Sequence, residues 1–511
     1  MNAKKLLALT LALLTLISCL AACGGSNETE STADVGPESG TESDSMVETE
    51  DPRQSVKIDL PEGLSFADRT DNTVTFFTRD DNELWKNEID VTELTDDTLY
   101  DAIYRRNRAV EEKLGVVIKT IQQNGTFNKR NEWNQTLRNA VNTRSGDFDA
   151  AAIYMSTGSA LAVEGMYHNL LDFPNLSLEK PWWNQNIQQE ITLFDTLYYL
   201  AGDVAITETA AGFCMFYNKD LFSKYYAEDN VDLYTLVMAG EWTIDKLYEL
   251  VEPVWEDVNS SGEADDGDVL GFIETSSLSD GSKDSWMAGL GVDITTMKDG
   301  IPTLTFYNER TVSAFEKVQK LCFDNPGSLF TDKKSLVETT FINGAQMFER
   351  GMLNSGSAFR DIAFEYGCLP MPKYDTDQKS YRTICENTAS LIVVLSSCLA
   401  EKTDMVGATL ELMAAESYKN ITPLYYDVVL KSKYSNSPED AAIYDLILES
   451  FTYSFGYCYS SMSLSGVGGL FRHLEADLAQ QYQANEQVYY TSLETLIDKL
   501  DDIAFSMQYG N

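Results

Sequence analysis

Apolar and polar positions along the chain change period repeatedly, and each change marks an element. NTVTFFTRDD, starting at Asn72, is rich in β-branched and aromatic residues and predicts a strand. In LYDAIYRRNRAVEEKLG, Leu99, Ile103, Val110 and Leu114 recur at roughly helical spacing with charges between them. Gly115 stands where such a helix is capped. VVIKTI, Val116 to Ile121, reads as the next strand and completes a β-α-β unit. The pattern then repeats: EWNQTLRNAVNTRSG predicts a helix ending at Gly146, and DFDAAAIY, Asp147 to Tyr154, a buried strand. Such units build parallel sheets with helices on both faces. Ligands bind beyond the carboxyl ends of the strands, here around Tyr154, Ser156 and Thr157. Farther on the pattern is more helical. SPEDAAIYDLILESF has Ser437 as an N-cap and Pro438 at the first helical position. Gly469 to Met507 reads as nearly continuous helix, broken near Asn485. No internal repeat stands out. The fold class is α/β with helical C-terminal additions.

The first residues follow a different pattern. Lys4 and Lys5 precede an apolar run from Leu6 to Leu20, too short for a comfortable membrane span. Small residues and a polar tail follow, the layout of a secretory signal peptide. LAAC, Leu20 to Cys23, resembles the bacterial lipobox, which implies cleavage after residue 22 and lipidation of Cys23; Cys19 leaves with the signal. Acyl chains supply about 0.8 kcal/mol per buried methylene, so a multiply acylated cysteine is a durable anchor. From Gly24 to Asp51 there is no Lys, Arg or aromatic residue. Such a segment cannot offset its ordering entropy, and residues 23–68 are expected to form an acidic, disordered tether.

The 511 residues leave room for two or three domains after signal and tether. Formal net charge is −42, and loss of Lys4 and Lys5 with the signal takes it to −44. So acidic a surface repels phosphate backbones and anionic lipid, which excludes a nucleic-acid partner. Cys214, Cys322, Cys368, Cys385, Cys398 and Cys458 show no CxxC spacing and read as small buried hydrophobes, with pairing outside the cell as the competing reading. The two histidines, His168 and His473, are far apart, and no HExxH or GxSxG occurs. A carboxylate pair carries no information in a chain with 80 acidic residues. The chain is therefore read as a non-enzyme.

Five landmarks, in order, resemble the extracellular solute-binding proteins of ABC importers, family 1. They are DFDAAAIYMSTGSALAVEGMYHNLLDF; LYYLAGDVAITETAAGFCMFYNKDLFSKY; GEWTIDKLYELVEPV; FINGAQMFERGML; and YGCLPMPKYD. The resemblance implies a two-lobed, periplasmic-binding-protein-like (type II) fold. Residues 69–205 plus 336–395 would form lobe one, and 206–335 plus 396–511 lobe two with the C-terminal helices. It also implies a monomeric, lipid-anchored receptor on the extracellular face of the membrane. That receptor would trap a sugar or oligosaccharide by hinge closure and pass it to an ABC permease. A peptide-binding or adhesin-type surface lipoprotein on the same fold is the alternative.

A sugar needs flat aromatic surfaces and side chains that satisfy its hydroxyls. The candidates are Tyr154, Ser156, Thr157, Trp182, Trp183, Glu208, Thr209, Trp286, Phe359, Arg360, Arg382, Asn387 and Tyr459. For each aromatic, core packing is the competing reading; Trp242 is read as packing outright. Lastly, DVNSSGEADDGD resembles an EF-hand loop and suggests a structural Ca2+. Its ligands would be Asp257, Asn259, Ser261, Glu263 through its carbonyl, Asp265 through water, and Asp268. The competing reading is a solvated acidic turn.

Overall fold

The computed structural model describes residues 51–276, 280–359, 361–429, 438–459 and 464–509. The signal segment, Cys23, most of the tether, Arg360 and Ser437 lie outside them.

The predicted β-α-β unit is present. Strand β1 (Thr73–Arg79) leads into the helix Thr98–Leu114, then β2 (Val117–Gln123), the helix Arg130–Thr143 and β3 (Ala150–Tyr154). Asp97 caps the first helix by accepting from the N–H groups of Leu99 and Tyr100, and Gly115 ends it at φ 65°. β1 pairs in parallel with both β2 and β3. β3 is buried along its whole length, as its unbroken apolar sequence requires.

A second sheet gathers β4 (Phe213–Asn218), β5 (Trp255–Glu256), β6 (Val269–Thr275), β9 (Ser328–Thr331), β10 (Gln346–Met352) and β11 (Tyr366–Leu369). β7 (Thr295–Lys298) and β8 (Ile301–Leu304) form a separate hairpin. β12 (Ser390–Val394) returns to the first sheet, antiparallel to β3. The strand orders are β12-β3-β1-β2 and β11-β4-β10-β6-β5, with β9 joined to β6.

Four sequence expectations are corrected. Residues 336–395 do not all belong with the first sheet: β10 and β11 bond to β4 and β6, and only β12 crosses back. Nor do residues 396–511 all join the second sheet. The helix Thr403–Asn420 is buried on nearly every face and packs on the helix Thr98–Leu114, where Arg106 donates to Ser417 Oγ at 3.0 Å. The tether ends sooner than residue 68. Val56, Ile58, Leu60 and Leu64 pack against the core, Phe66 is buried, and Asp59 pairs with Lys180 at 2.6 Å. The C-terminal helix Leu478–Tyr509 also runs unbroken through Asn485, whose side chain donates to the Gln481 carbonyl.

Candidate functional site

The chain passes between the two sheets from β3 to β4 and from β11 to β12, and a later segment runs beside both passages. These three crossings lie side by side. Gly212 bridges to Cys385 and Thr383 to Phe451. Phe213 N–H donates to the Ile384 carbonyl at 3.0 Å, and Thr452 N–H to that of Thr383 at 2.8 Å. Side chains tie the same three segments together. Tyr453 donates to Glu208 Oε1 at 2.8 Å and lies 3.2 Å from Cys385 Sγ.

Glu208, on the short helix Thr207–Ala210, is 6 % exposed. Its Oε1 also accepts from Asn184 at 2.6 Å, while Oε2 has no hydrogen-bond partner. Burial pushes its pKa up, and the Tyr453 and Asn184 donors oppose this. Asp203 stands close by and accepts from the Thr422 hydroxyl. Loss of hydration lifts its pKa to about 7, opposed by the Thr422 bond and reinforced by the Glu208 charge. A cavity of about 490 Å³ opens here, bringing together four of the expected residues: Trp182, Trp183, Glu208 and Thr209. Trp183 is fixed by its N–H, which donates to Glu411 at 2.9 Å. Tyr418 and Phe451 add aromatic wall.

A second cluster forms where the first sheet's parallel strands end. Tyr154 donates to Asn387 Oδ1 at 3.5 Å. The Arg79 guanidinium lies 5.0 Å from the Tyr154 ring and 5.9 Å from the Trp85 ring. Arg79 donates to the Thr388 carbonyl at 2.6 Å and to Ser390 Oγ at 2.9 Å, and Trp85 N–H reaches the same carbonyl at 2.8 Å. Burial raises the Tyr154 phenol pKa, and the Glu386 charge adds to the effect. Ser156 and Thr157 follow on the helix Met155–Ala162.

Other expected contacts are placed elsewhere. Arg382 makes a two-pronged pair with Asp293, at 2.9 and 2.6 Å, at the edge of a neighbouring cavity of about 710 Å³. Trp286, Phe359 and Tyr459 are packed as core side chains, and Trp182 and Trp183, at 0 % and 1 % exposed, are as deeply buried although they border the cavity. Trp286 is 1 % exposed and donates to Glu274 at 3.0 Å, with Phe272 edge-on and Arg350 over its ring. Phe359 lies among Phe216, Phe341 and Tyr366. Tyr459 stacks on Phe455 with centroids 4.5 Å apart. Trp242 is core, as expected, with its N–H on the Pro370 carbonyl. Asp203, Tyr453, Arg79 and Trp85 were not singled out in the sequence. The best signal for Arg79 was its charge at the end of an apolar strand.

In the acidic loop the residues expected to hold calcium are hydrogen-bonded within the loop. Asp257 accepts from the N–H groups of Ser261 and Gly262, each at 2.9 Å, and Asn259 from that of Ser261 at 2.8 Å. Ser261 Oγ donates to the Glu263 carbonyl, and Asp265 accepts from Asn259 Nδ2 at 2.7 Å. Asp268, expected at position twelve, turns inward to accept from Trp255 Nε1, Val258 N–H and Asp265 N–H. Among the described residues, no three His, Cys, Asp or Glu side chains group to hold a metal.

No protein-family model matches the chain, and no curated protein matches it. Solved structures do match. A cyclo/maltodextrin-binding protein complexed with maltotetraose superposes with TM-score 0.52 at 12 % identity, covering 87 % of this chain and 99 % of the other. The galacto-N-biose/lacto-N-biose I-binding protein of the ABC transporter from Bifidobacterium longum gives 0.52 at 11 %, covering 85 % and 98 %. UspC of M. tuberculosis gives 0.52 at 15 %, covering 82 % and 100 %. The chain therefore has the two-lobed α/β fold of these binding proteins.

Proposed function

We propose that this chain is a solute-binding receptor that captures a carbohydrate between its lobes and presents it to an ABC permease. The observation that carries the proposal is the match of 85–87 % of the chain to sugar-binding proteins of the same two-lobed fold. The clustering of Trp182, Trp183, Glu208 and Thr209 on one cavity beside the crossings supports it, because aromatic walls and convergent acceptors are what a polyhydroxylated ring requires. The proposal is of a receptor rather than an enzyme. Thermal-shift screening against neutral oligosaccharides and short peptides tests it. A ligand at a hundredfold excess over its Kd stabilises by about 2.7 kcal/mol, a shift readily seen. Stabilisation by an oligosaccharide is expected; stabilisation by peptides alone would favour the alternative receptor.

The same proposal places the receptor outside the cell, held by lipid on Cys23 at the end of a short acidic tether. Among the described residues no helix is long and apolar enough to cross a membrane. Cys23→Ala is expected to move the protein from the membrane fraction to the soluble fraction, whereas Cys19→Ala leaves it membrane-bound. The reverse result would reassign the lipidated cysteine.

A further inference from the structure

The cavity of about 490 Å³ beside the crossings carries more acid than its walls neutralise. Asp203 and Glu208 face it from the first crossing, and Asp445 and Glu449 from the helix Pro438–Glu449. The one cation among its described lining residues is Arg53, 3.5 Å from Asp445, with its guanidinium 5.9 Å from the Tyr418 ring. The Glu208 charge is felt at Asp203.

Glu208 makes this more than an acidic cluster. It is more than nine-tenths buried, its Oε1 is satisfied by Asn184 and Tyr453, and its Oε2 meets no donor. Burial raises the Glu208 pKa, opposed by the Tyr453, Asn184 and Gly202 donors, and none of these reaches Oε2 at hydrogen-bonding geometry. A buried carboxylate oxygen without a donor is costly. A ligand hydroxyl would satisfy that oxygen and leave the charge of the pair uncompensated. An ammonium group brings three donors and a positive charge together. The half-buried Tyr418 ring at the same cavity offers a surface for its carbon skeleton, and aromatic faces favour a cation.

We propose that this cavity recognises the ammonium group of an amine-bearing ligand, specifically an amino sugar, with Glu208 and Asp203 as its counter-charges. The inference rests on the carbohydrate-receptor reading and narrows its substrate class. N-acetylation of the amine removes the charge and two of the donors, so the unmodified amine is selected.

Calorimetry on the full chain with glucosamine, N-acetylglucosamine and glucose, alongside maltotetraose, tests this. Glucosamine is expected to bind at least tenfold more tightly than either of the other two monosaccharides. Glu208→Gln keeps an acceptor for Asn184 and Tyr453 and should abolish that preference. Asp203→Asn should reduce it severalfold and serves if Glu208→Gln fails to fold. Arg53→Ala, which frees Asp445, should preserve the preference and tighten glucosamine. Equal affinity for glucosamine and N-acetylglucosamine would overturn the inference, as would a preference that survives both carboxylate substitutions. Binding of maltotetraose without an amine preference would overturn this inference alone. Failure of every sugar, charged or neutral, would overturn the receptor reading with it.

Discussion

Asp203 makes the protein's stability depend on pH. Its carboxyl titrates at about 7 in the folded protein against an ordinary value of 3.8, chiefly because it has lost hydration. The folded state thus holds a proton that the unfolded chain releases. The stabilisation from this group is fully present below about pH 4 and is lost as pH rises through 7. Asp203→Asn stays neutral and still offers an oxygen to Thr422. It should match the wild type near pH 4 and exceed it at pH 8 by about 1–3 kcal/mol, below the full value of about 1.4 kcal/mol per unit because the group keeps some solvent contact. Urea unfolding at the two pH values checks this. An equal difference between the proteins at both would show that Asp203 titrates normally. Residue scale is also where sequence reading reached its limit. Trp182 and Trp286 offer the same apolar, aromatic signal and both are buried, yet only Trp182 borders a cavity, while Trp286 packs on Phe272 with its N–H on a buried carboxylate. Asp203 was one of 80 acids, and only its burial beside Glu208 sets it apart.

Elements were legible where their pattern is local. β1, the helix Thr98–Leu114 and β3 each combine a clean period with an N-cap, a glycine stop or unbroken burial, so the unit could be read without its neighbours. Sheet membership was not legible, because it depends on pairing across long separations. Nothing in the sequence of β10 says that it lies parallel to β6 and antiparallel to β4 while β12, some forty residues later, joins the first sheet. What fixes β10 is partly a buried ion pair. Arg350 donates to both oxygens of Glu274 on β6, at 2.8 and 2.7 Å. A buried pair of this kind is worth little net stability but makes the wrong partner costly, since either charge left alone would be uncompensated. The sequence shows an arginine and a glutamate 76 residues apart and no reason to join them. The break expected at Asn485 failed for a local reason: its side chain bonds back to the preceding turn and stays within the helix.

At the scale of the whole molecule, any lobe motion must be carried by the three crossings. They are packed without slack: a Cβ built on Gly212 would lie 2.4 Å from the Phe451 ring, and Gly212 itself bridges to Cys385. Glu208, Cys385 and Tyr453 extend the same contact through one cluster of side chains, so a shift in one crossing is felt by the other two. If ligand closes the lobes, this is the place where closure can be obstructed without touching the ligand's polar partners. Small-angle scattering should show a smaller radius of gyration when a saturating sugar binds the wild type. Gly212→Ala should fold with a loss of about 1–3 kcal/mol from overpacking, show less contraction, and bind the sugar more weakly. Trimming the obstructing ring in Gly212→Ala/Phe451→Leu should restore contraction, with affinity equal to that of Phe451→Leu alone, because Phe451 also lines the cavity. Recovery in the double variant would separate blocked motion from simple destabilisation, since the second substitution alone removes core volume. Full contraction in Gly212→Ala would place the hinge elsewhere, and a wild type that binds sugar without contracting would mean that its lobes do not close on the ligand.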